Sequence, residues 1–214
     1  MKELPGKLVL MRHGESTWNA KGQWTGTRDM HLTAKGKRDS RLMGAAVKDI
    51  KLDVAWVSQQ VRAKETLEGV LEACGQQSVE QRVNGAINER DYGVYTGLNK
   101  WKVKEEMSPE DFQGVRRGWD YPIPRGERLK DVYERSVPFF REVALQRVAA
   151  GHTVLLVAHG NSIRSLMKYI ESISDAGIGE VEMIFGTVLI YRLDADGRSV
   201  DKQERKIDSP LPNA

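Results

Sequence analysis

The sequence predicts an α/β fold: three layers, with a mostly parallel sheet covered by helices on both faces. Strand-like and helix-like segments alternate along the chain, the arrangement that builds parallel sheets through helical crossovers. The strand-like runs are apolar throughout rather than alternating, as expected of strands buried on both faces. Two of these runs also end alike. Leu8-Val9-Leu10-Met11-Arg12-His13-Gly14 and Val154-Leu155-Leu156-Val157-Ala158-His159-Gly160 each deliver a histidine, a glycine and a polar turn that opens a helix. The chain has four histidines, so half of them occupy these two equivalent positions. In an open α/β sheet, residues just past the carboxyl ends of strands line the ligand crevice.

Residues 7–12 form the first expected strand. A helical pattern follows over 32–47, with Thr33 as its N-cap. A short apolar run at 53–57 reads as a strand, and 61–73 as the helix after it. Gly75-Gln76-Gln77 marks a turn before a short strand at 79–83. Between 85 and 124 glycines, prolines and tryptophans break the pattern, which predicts an excursion over the sheet. Residues 129–150 read as one long amphipathic helix bent or divided at Pro138. The best buried strand is 153–157, with a helix over 162–170, a last strand at 188–193 and a turn at 194–197. The whole of 1–202 reads as a single domain, with about 85–127 as a substrate-binding lid. The charged, Pro-containing segment 203–214 is expected to be a mobile C-terminal tail.

At 214 residues the chain suits one domain, and its 40% hydrophobic content supplies a core without disulfides. The single cysteine, Cys74, rules out a disulfide framework and reads as a small apolar residue near a helix end. No apolar run reaches the roughly 18 residues of a membrane span. The first residues lack the h-region of a secretory signal, so a cytoplasmic location is expected. Net charge is +3, from 33 Lys+Arg against 30 Asp+Glu, with both signs interspersed. That suits small acidic substrates and lacks the basic stripe of a nucleic-acid binder.

The chemistry concentrates in a few places. Arg12-His13-Gly14-Glu15-Ser16 puts an imidazole, a nucleophile towards phosphorus, beside a guanidinium that can bind phosphoryl oxygens. Gly14 is expected to let the backbone approach a ligand. Taken alone, the pair reads equally as a core histidine beside a salt-bridged arginine. His159-Gly160-Asn161-Ser162 repeats the pattern at a helix start, where free N–H groups favour anions. A metal site would need further ligands, and Glu15 is the one nearby candidate in sequence. Arg62, in the first turn of its helix, opposes the macrodipole there unless an anion lies close; otherwise it is a solvated surface arginine. Glu89 is either an ordinary carboxylate or an acid/base, and Arg116-Arg117 either a solvated pair or an anion clamp.

Leu10-Met11-Arg12-His13-Gly14-Glu15-Ser16-Thr17-Trp18-Asn19 resembles the opening motif of the histidine phosphatase superfamily. Trp24-Thr25-Gly26, Asn88-Glu89-Arg90-Asp91-Tyr92-Gly93, Gly97-Leu98-Asn99-Lys100, Arg116-Arg117 and Ala158-His159-Gly160-Asn161-Ser162 resemble its cofactor-dependent phosphoglycerate mutases, in order and from about residue 7 to 193. The resemblance implies the fold of that family and a set of roles. His13 would carry the phosphoryl group, with Arg12, Arg62 and a protonated His159 around it. Glu89 would be the general acid/base. Arg90, Tyr92, Lys100, Arg116 and Arg117 would hold the carboxylate and non-reacting phosphate of a three-carbon acid. Ser16, Asn19, Thr25, Gly26, Gly160 and Asn161 would complete the phosphate cradle. Trp18, Trp24, Trp101 and Trp119 read as packing and lid residues.

The implied activity interconverts 3-phosphoglycerate and 2-phosphoglycerate, primed by 2,3-bisphosphoglycerate and without a metal. The implied partners are small phosphoglycerates rather than nucleic acid or membrane, and the assembly a homodimer or homotetramer. A phosphatase or bisphosphoglycerate-making enzyme of the same superfamily, or a non-catalytic phosphoester-binding module, are the alternatives. The chain departs from the family in a short 120–127 segment and a brief tail. It also has Phe185-Gly186-Thr187-Val188 where the family has Thr-Gly-aliphatic-Pro. Looser closure there would admit water and favour phosphatase action.

Overall fold

In the computed structural model, which describes residues 3–208, the elements follow the expected alternation closely. Strand β1 (Lys7–Arg12) leads through a one-turn helix α1 (Thr17–Ala20) to α2 (Ala34–Ala45). Thr33 caps α2 as expected, its hydroxyl accepting the Gly36 N–H at 3.0 Å. Next come β2 (Val54–Val57), α3 (Val61–Cys74) and β3 (Glu80–Val83). Helix α3 stops at Gly75, whose φ of 72° is left-handed, a conformation glycine adopts without strain. Cys74 is buried at the end of that helix.

The excursion carries two helices, α4 (Lys100–Glu106) and α5 (Pro109–Arg117). Ser108 caps α5, Pro109 opens it, Glu110 and Asp111 lie in its first turn and Arg116 and Arg117 in its last. Each of these choices suits the helix dipole. Trp24, Val103, Phe112, Val115 and Ile123 form a small core of their own beneath this segment. Trp101, by contrast, is half exposed.

The expected long helix divides. Helix α6 (Leu129–Phe139) contains Pro138, gives way to a π-helical turn at Phe140–Ala144, and resumes as α7 (Leu145–Ala149). Proline has no N–H to donate and crowds the preceding turn, so the hydrogen-bond register slips just beyond it. Strand β4 (Thr153–Ala158), helix α8 (Gly160–Ile170), β5 (Thr187–Leu193) and β6 (Ser199–Lys206) complete the chain.

The strand order is β3-β2-β4-β1-β5-β6. The pairs β3–β2, β2–β4 and β4–β1 are parallel, and β1–β5 and β5–β6 are antiparallel, so the sheet is mixed with a parallel majority. Side chains of β1 alternate between two cores. Leu8 and Leu10 pack with Phe140, Ile163 and Leu166 on one face, and Val9 and Met11 with Met43, Leu67 and Leu71 on the other. Burying each such side chain contributes about 1.5–3 kcal/mol.

The expected tail boundary is corrected. Residues 203–206 belong to β6, where Gln203 pairs with Ile190 and Lys206 with Thr187. An edge strand facing solvent needs no apolar alternation, and Gln203-Glu204-Arg205-Lys206 therefore read as tail. The last six residues of the expected tail, 209–214, lie outside the described residues.

Candidate active site

Strands β1 and β4 are parallel neighbours in a register that sets Arg12 opposite Ala158. The next residue of each strand is a histidine, so His13 and His159 arrive side by side, ring centroids 4.9 Å apart and tilted by 56°. Both are buried. The Nδ1 of His13 lies 2.6 Å from the Gly14 carbonyl, which can only accept, so Nδ1 carries the proton. The lone pair is left on Nε2, and the Arg62 Nε–H donates to it at 3.2 Å. Burial first, then the cations of Arg62 and Arg12, hold His13 well below its usual pKa, against the Gly14 bond.

Gly14 has a different purpose from the one expected. A Cβ there would stand 2.5 Å from the Gly36 carbonyl, so its missing side chain admits the first turn of α2. Its N–H donates to Thr66 Oγ1 at 2.9 Å, tying the histidine loop to α3.

Arg62, second residue of α3, is fully buried and turned inward. Besides His13, it donates to the carbonyls of Arg28 at 2.8 Å and Gly26 at 2.9 Å. Burial lowers its pKa to about 10, which leaves it charged at neutral pH. Arg12 donates to the Met183 carbonyl at 2.7 Å while its buried Nε has no protein partner among the described residues.

His159 departs from expectation in charge. Burial, with Arg62, His13, Arg12 and Arg135 nearby, holds it well below its usual pKa, so the imidazole is neutral rather than protonated. Its Nε2 is 2.7 Å from Ser58 Oγ, which also accepts the Gln60 N–H, and its Nδ1 is buried without a partner among the described residues.

Glu89 is placed by its backbone and by one of its oxygens. Oε1 accepts from the Arg90 N–H at 2.8 Å, the Asn161 N–H at 3.2 Å and Asn161 Nδ2 at 3.0 Å. Oε2 faces Gly160, 3.7 Å from where a Cβ would stand. Gln60 bridges the site, accepting from the Glu89 N–H and donating to the Gly26 carbonyl. Tyr92 OH accepts from Asn161 Nδ2 at 3.0 Å. Burial raises the phenol pKa, but Arg90 and Lys100 outweigh it and hold the group below its ordinary value.

Arg12, Glu89, Tyr92, Lys100, Arg116, Arg117, Gly160 and Asn161 line one cleft, together with Arg164, Glu182, Trp24 and Met183. Five cationic side chains thus face two carboxylates, a balance that suits a polyanion. Burial depresses Lys100, as it does Arg164, which falls to about 10. Arg117 pairs with Glu182 at 2.8 Å.

The remaining expected site residues lie apart from this lining. Ser16 and Asn19 are engaged with each other at the start of α1. Gly26 offers its carbonyl to Arg62 and Gln60. Thr25 has a buried hydroxyl with no partner among the described residues. Arg90 is fully buried, donates to the Val115 and Arg116 carbonyls and stacks on Tyr92, so it anchors α5. Among the described residues no group of His, Cys, Asp or Glu is arranged to hold a metal ion. No helix there is long and apolar enough to cross a membrane.

The family model described as the histidine phosphatase superfamily (branch 1) matches residues 8–205. The chain belongs to the histidine phosphatase superfamily. Within the superfamily it is similar to the 2,3-bisphosphoglycerate-dependent phosphoglycerate mutase of Parvibaculum lavamentivorans, 42% identical over 94% of this chain and 96% of the relative. The expected resemblance to cofactor-dependent mutases is thereby borne out. A solved mycobacterial glucosyl-3-phosphoglycerate phosphatase shares the fold at a TM-score of 0.76 and 20% identity, over 95% of this chain and 99% of that one. A Bacillus anthracis phosphoglycerate mutase does so at 0.72 and 20%, over 96% and 93%.

This member of the superfamily has site residues that the sequence alone does not mark out. Arg164 donates to Asn161 Oδ1 at 3.0 Å, and so turns the Asn161 amide N–H groups towards Glu89 and Tyr92. It sits one helical turn after Asn161, a spacing visible in the sequence. Ser58 and Gln60 lie four and two residues before Arg62, in the turn between β2 and α3. Arg135 of α6 donates to the carbonyls of Ala86, Asn88 and Glu89 while pairing with Glu127. No local signal marks it, because its task arises from how α6 packs.

Proposed function

We propose that this protein interconverts 3-phosphoglycerate and 2-phosphoglycerate through a phosphohistidine at His13, primed by 2,3-bisphosphoglycerate. The observation that carries the reading is the locked tautomer of His13, with Nδ1–H on the Gly14 carbonyl and a lone pair on Nε2 beside Arg62. Next to it lies a cleft whose cations match a molecule with several negative groups. The partnerless buried nitrogens of Arg12 and His159 fit a phosphoryl group as acceptor. When bound, 2,3-bisphosphoglycerate supplies the phosphoryl group that charges His13.

Each residue then has a defined task. His13 Nε2 offers its lone pair to phosphorus. Arg12 and Arg62 neutralise charge on the phosphoryl oxygens, the help that this reaction can use most. His159 serves as a neutral donor: with the Ser58 hydroxyl proton directed at Nε2, its own proton sits on Nδ1. Glu89 Oε2 takes the proton of the attacking hydroxyl and returns it to the leaving oxygen. Tyr92, Lys100, Arg116 and Arg117 hold the carboxylate and the non-reacting phosphate, with residues 85–127 acting as the substrate-binding lid. Gly160 leaves room for the ligand, and Asn161 orients Glu89. Ser16, Asn19, Thr25, Gly26 and Arg90 support the phosphate end and the lid from behind the lining. A cytoplasmic location accords with a soluble three-carbon substrate.

The test follows 3-phosphoglycerate conversion with and without 2,3-bisphosphoglycerate, in the presence of a chelator, while free phosphate is recorded. Conversion that rises with bisphosphoglycerate and releases little phosphate is the expected result. Phosphate release without isomer formation would make the protein a phosphatase. No turnover in either channel would leave a binding module.

A further inference from the structure

Phe185, two residues before β5, lies against two side chains of the candidate site, Arg12 and His13. The Arg12 guanidinium lies 3.7 Å above its ring centroid. The His13 ring meets it edge-on, 5.8 Å away and inclined by 68°. Two residues earlier the Met183 carbonyl accepts from Arg12 Nη1 at 2.7 Å, so the 183–185 segment holds Arg12 by both a carbonyl and an aromatic face. The backbone behind the ring is itself pinned. Gly186 turns at a φ of 75°, a Cβ there would stand 2.6 Å from Ile207, and the Ile207 N–H donates to the Gly186 carbonyl at 3.0 Å.

A cation over an aromatic face is attracted by the ring quadrupole, more strongly when water is excluded. Arg12 needs such a hold, because its Nε is buried without a partner among the described residues and must be aimed in advance of any anion. A flat apolar ring against His13 also removes one side from which water could reach it.

We infer that Phe185 is a positioning residue that aims the Arg12 guanidinium and closes one side of His13 to water. It thereby sets how phosphohistidine divides between transfer and hydrolysis. The inference rests on the proposed phosphohistidine. In transfer, a phosphoglycerate hydroxyl oxygen bonds to phosphorus and its proton goes to Glu89. The P–Nε2 bond breaks with its electron pair returning to His13. In hydrolysis a water oxygen takes the place of that hydroxyl and orthophosphate leaves. Only the second route depends on water beside the ring.

The experiment labels His13 with radioactive phosphoryl from 2,3-bisphosphoglycerate. It then follows label loss without acceptor, free phosphate per isomer formed, and KM against kcat. Phe185→Ala should shorten the phosphohistidine lifetime about tenfold and raise KM about three- to tenfold, the size of a partly desolvated cation–π contact. Phe185→Leu keeps bulk and should retain most of the lifetime while showing the KM rise. Phe185→Tyr keeps the ring and should restore both. Wild-type lifetime and KM in Phe185→Ala would overturn the inference, as would a Phe185→Tyr enzyme impaired as much as Phe185→Ala. A wild-type enzyme that takes no label at His13 would instead overturn the proposed function, and this inference with it.

Discussion

Replacing Glu89 by glutamine separates its two oxygens. Oε1 is occupied by three donors, at 2.8, 3.0 and 3.2 Å. A glutamine carbonyl accepts all three, so the side chain keeps its place and the amide nitrogen replaces Oε2. Only the proton acceptor facing Gly160 is lost. General acid–base catalysis contributes about 10²- to 10⁴-fold, equivalent to about 2.7–5.5 kcal/mol, and kcat should fall by that much. Substrate binding should not weaken, since one of the two carboxylates in the cleft has been removed from beside five cations. The assay is steady-state mutase turnover with acid-stable and acid-labile phosphate measured in quenched enzyme. Phosphohistidine should still be detected, with turnover slow and KM unchanged or lower. A kcat within tenfold of wild type would refute the assignment of Oε2 as the base, and so would a loss confined to KM.

Four further outcomes follow from the geometry. His13→Ala should abolish acid-labile phosphoenzyme; an alanine variant with full mutase activity would sink the mechanism. Gly14→Ala forces a Cβ to within 2.5 Å of the Gly36 carbonyl, an overpacking cost of about 1–3 kcal/mol or more. Its melting temperature should fall by about 3–10 °C in a calorimetric scan. His13 and His159 are both held below the ordinary histidine value, so the nucleophile stays unprotonated and kcat/KM should remain level as pH falls through 6.5. Stability runs the other way. Below 6.5 the unfolded chain binds protons that the native state refuses, so stability should be full above 6.5. Urea midpoints should then drop as pH falls, the unfolding free energy decreasing by up to about 1.4 kcal/mol per pH unit for each histidine. An acid limb in the rate at 6.5 or higher would contradict the burial argument.

Much of this arrangement was legible because it depends on strand ends. Apolar runs marked β1, β2 and β4, and whatever follows such a strand must lie at the crevice, which located His13, Arg62 and His159 together. Thr33 and Gly75 were legible for local reasons, a cap and a left-handed turn. Strand β6 was not, because a solvent-facing edge carries charges and shows no hydrophobic pattern. The charge of His159 also escaped the sequence, since its neighbours Arg62 and Arg135 come from other elements. Arg135 and Arg90 act by donating to main-chain carbonyls, and a carbonyl has no identity in a sequence. Gly14 was read as room for a ligand when the constraint came from Gly36, a backbone contact that only packing reveals.

The sheet order has a consequence for the chain as it is made. Strand β1 pairs only with β4 and β5 among the described strands, and both are synthesised after residue 152. At about 5–20 residues per second, its apolar backbone waits roughly 7–30 seconds for a partner, about 140 residues later. Until β4 slides between β1 and β2, the first histidine has no second one beside it. Every shorter nascent chain therefore lacks the paired histidines of the site.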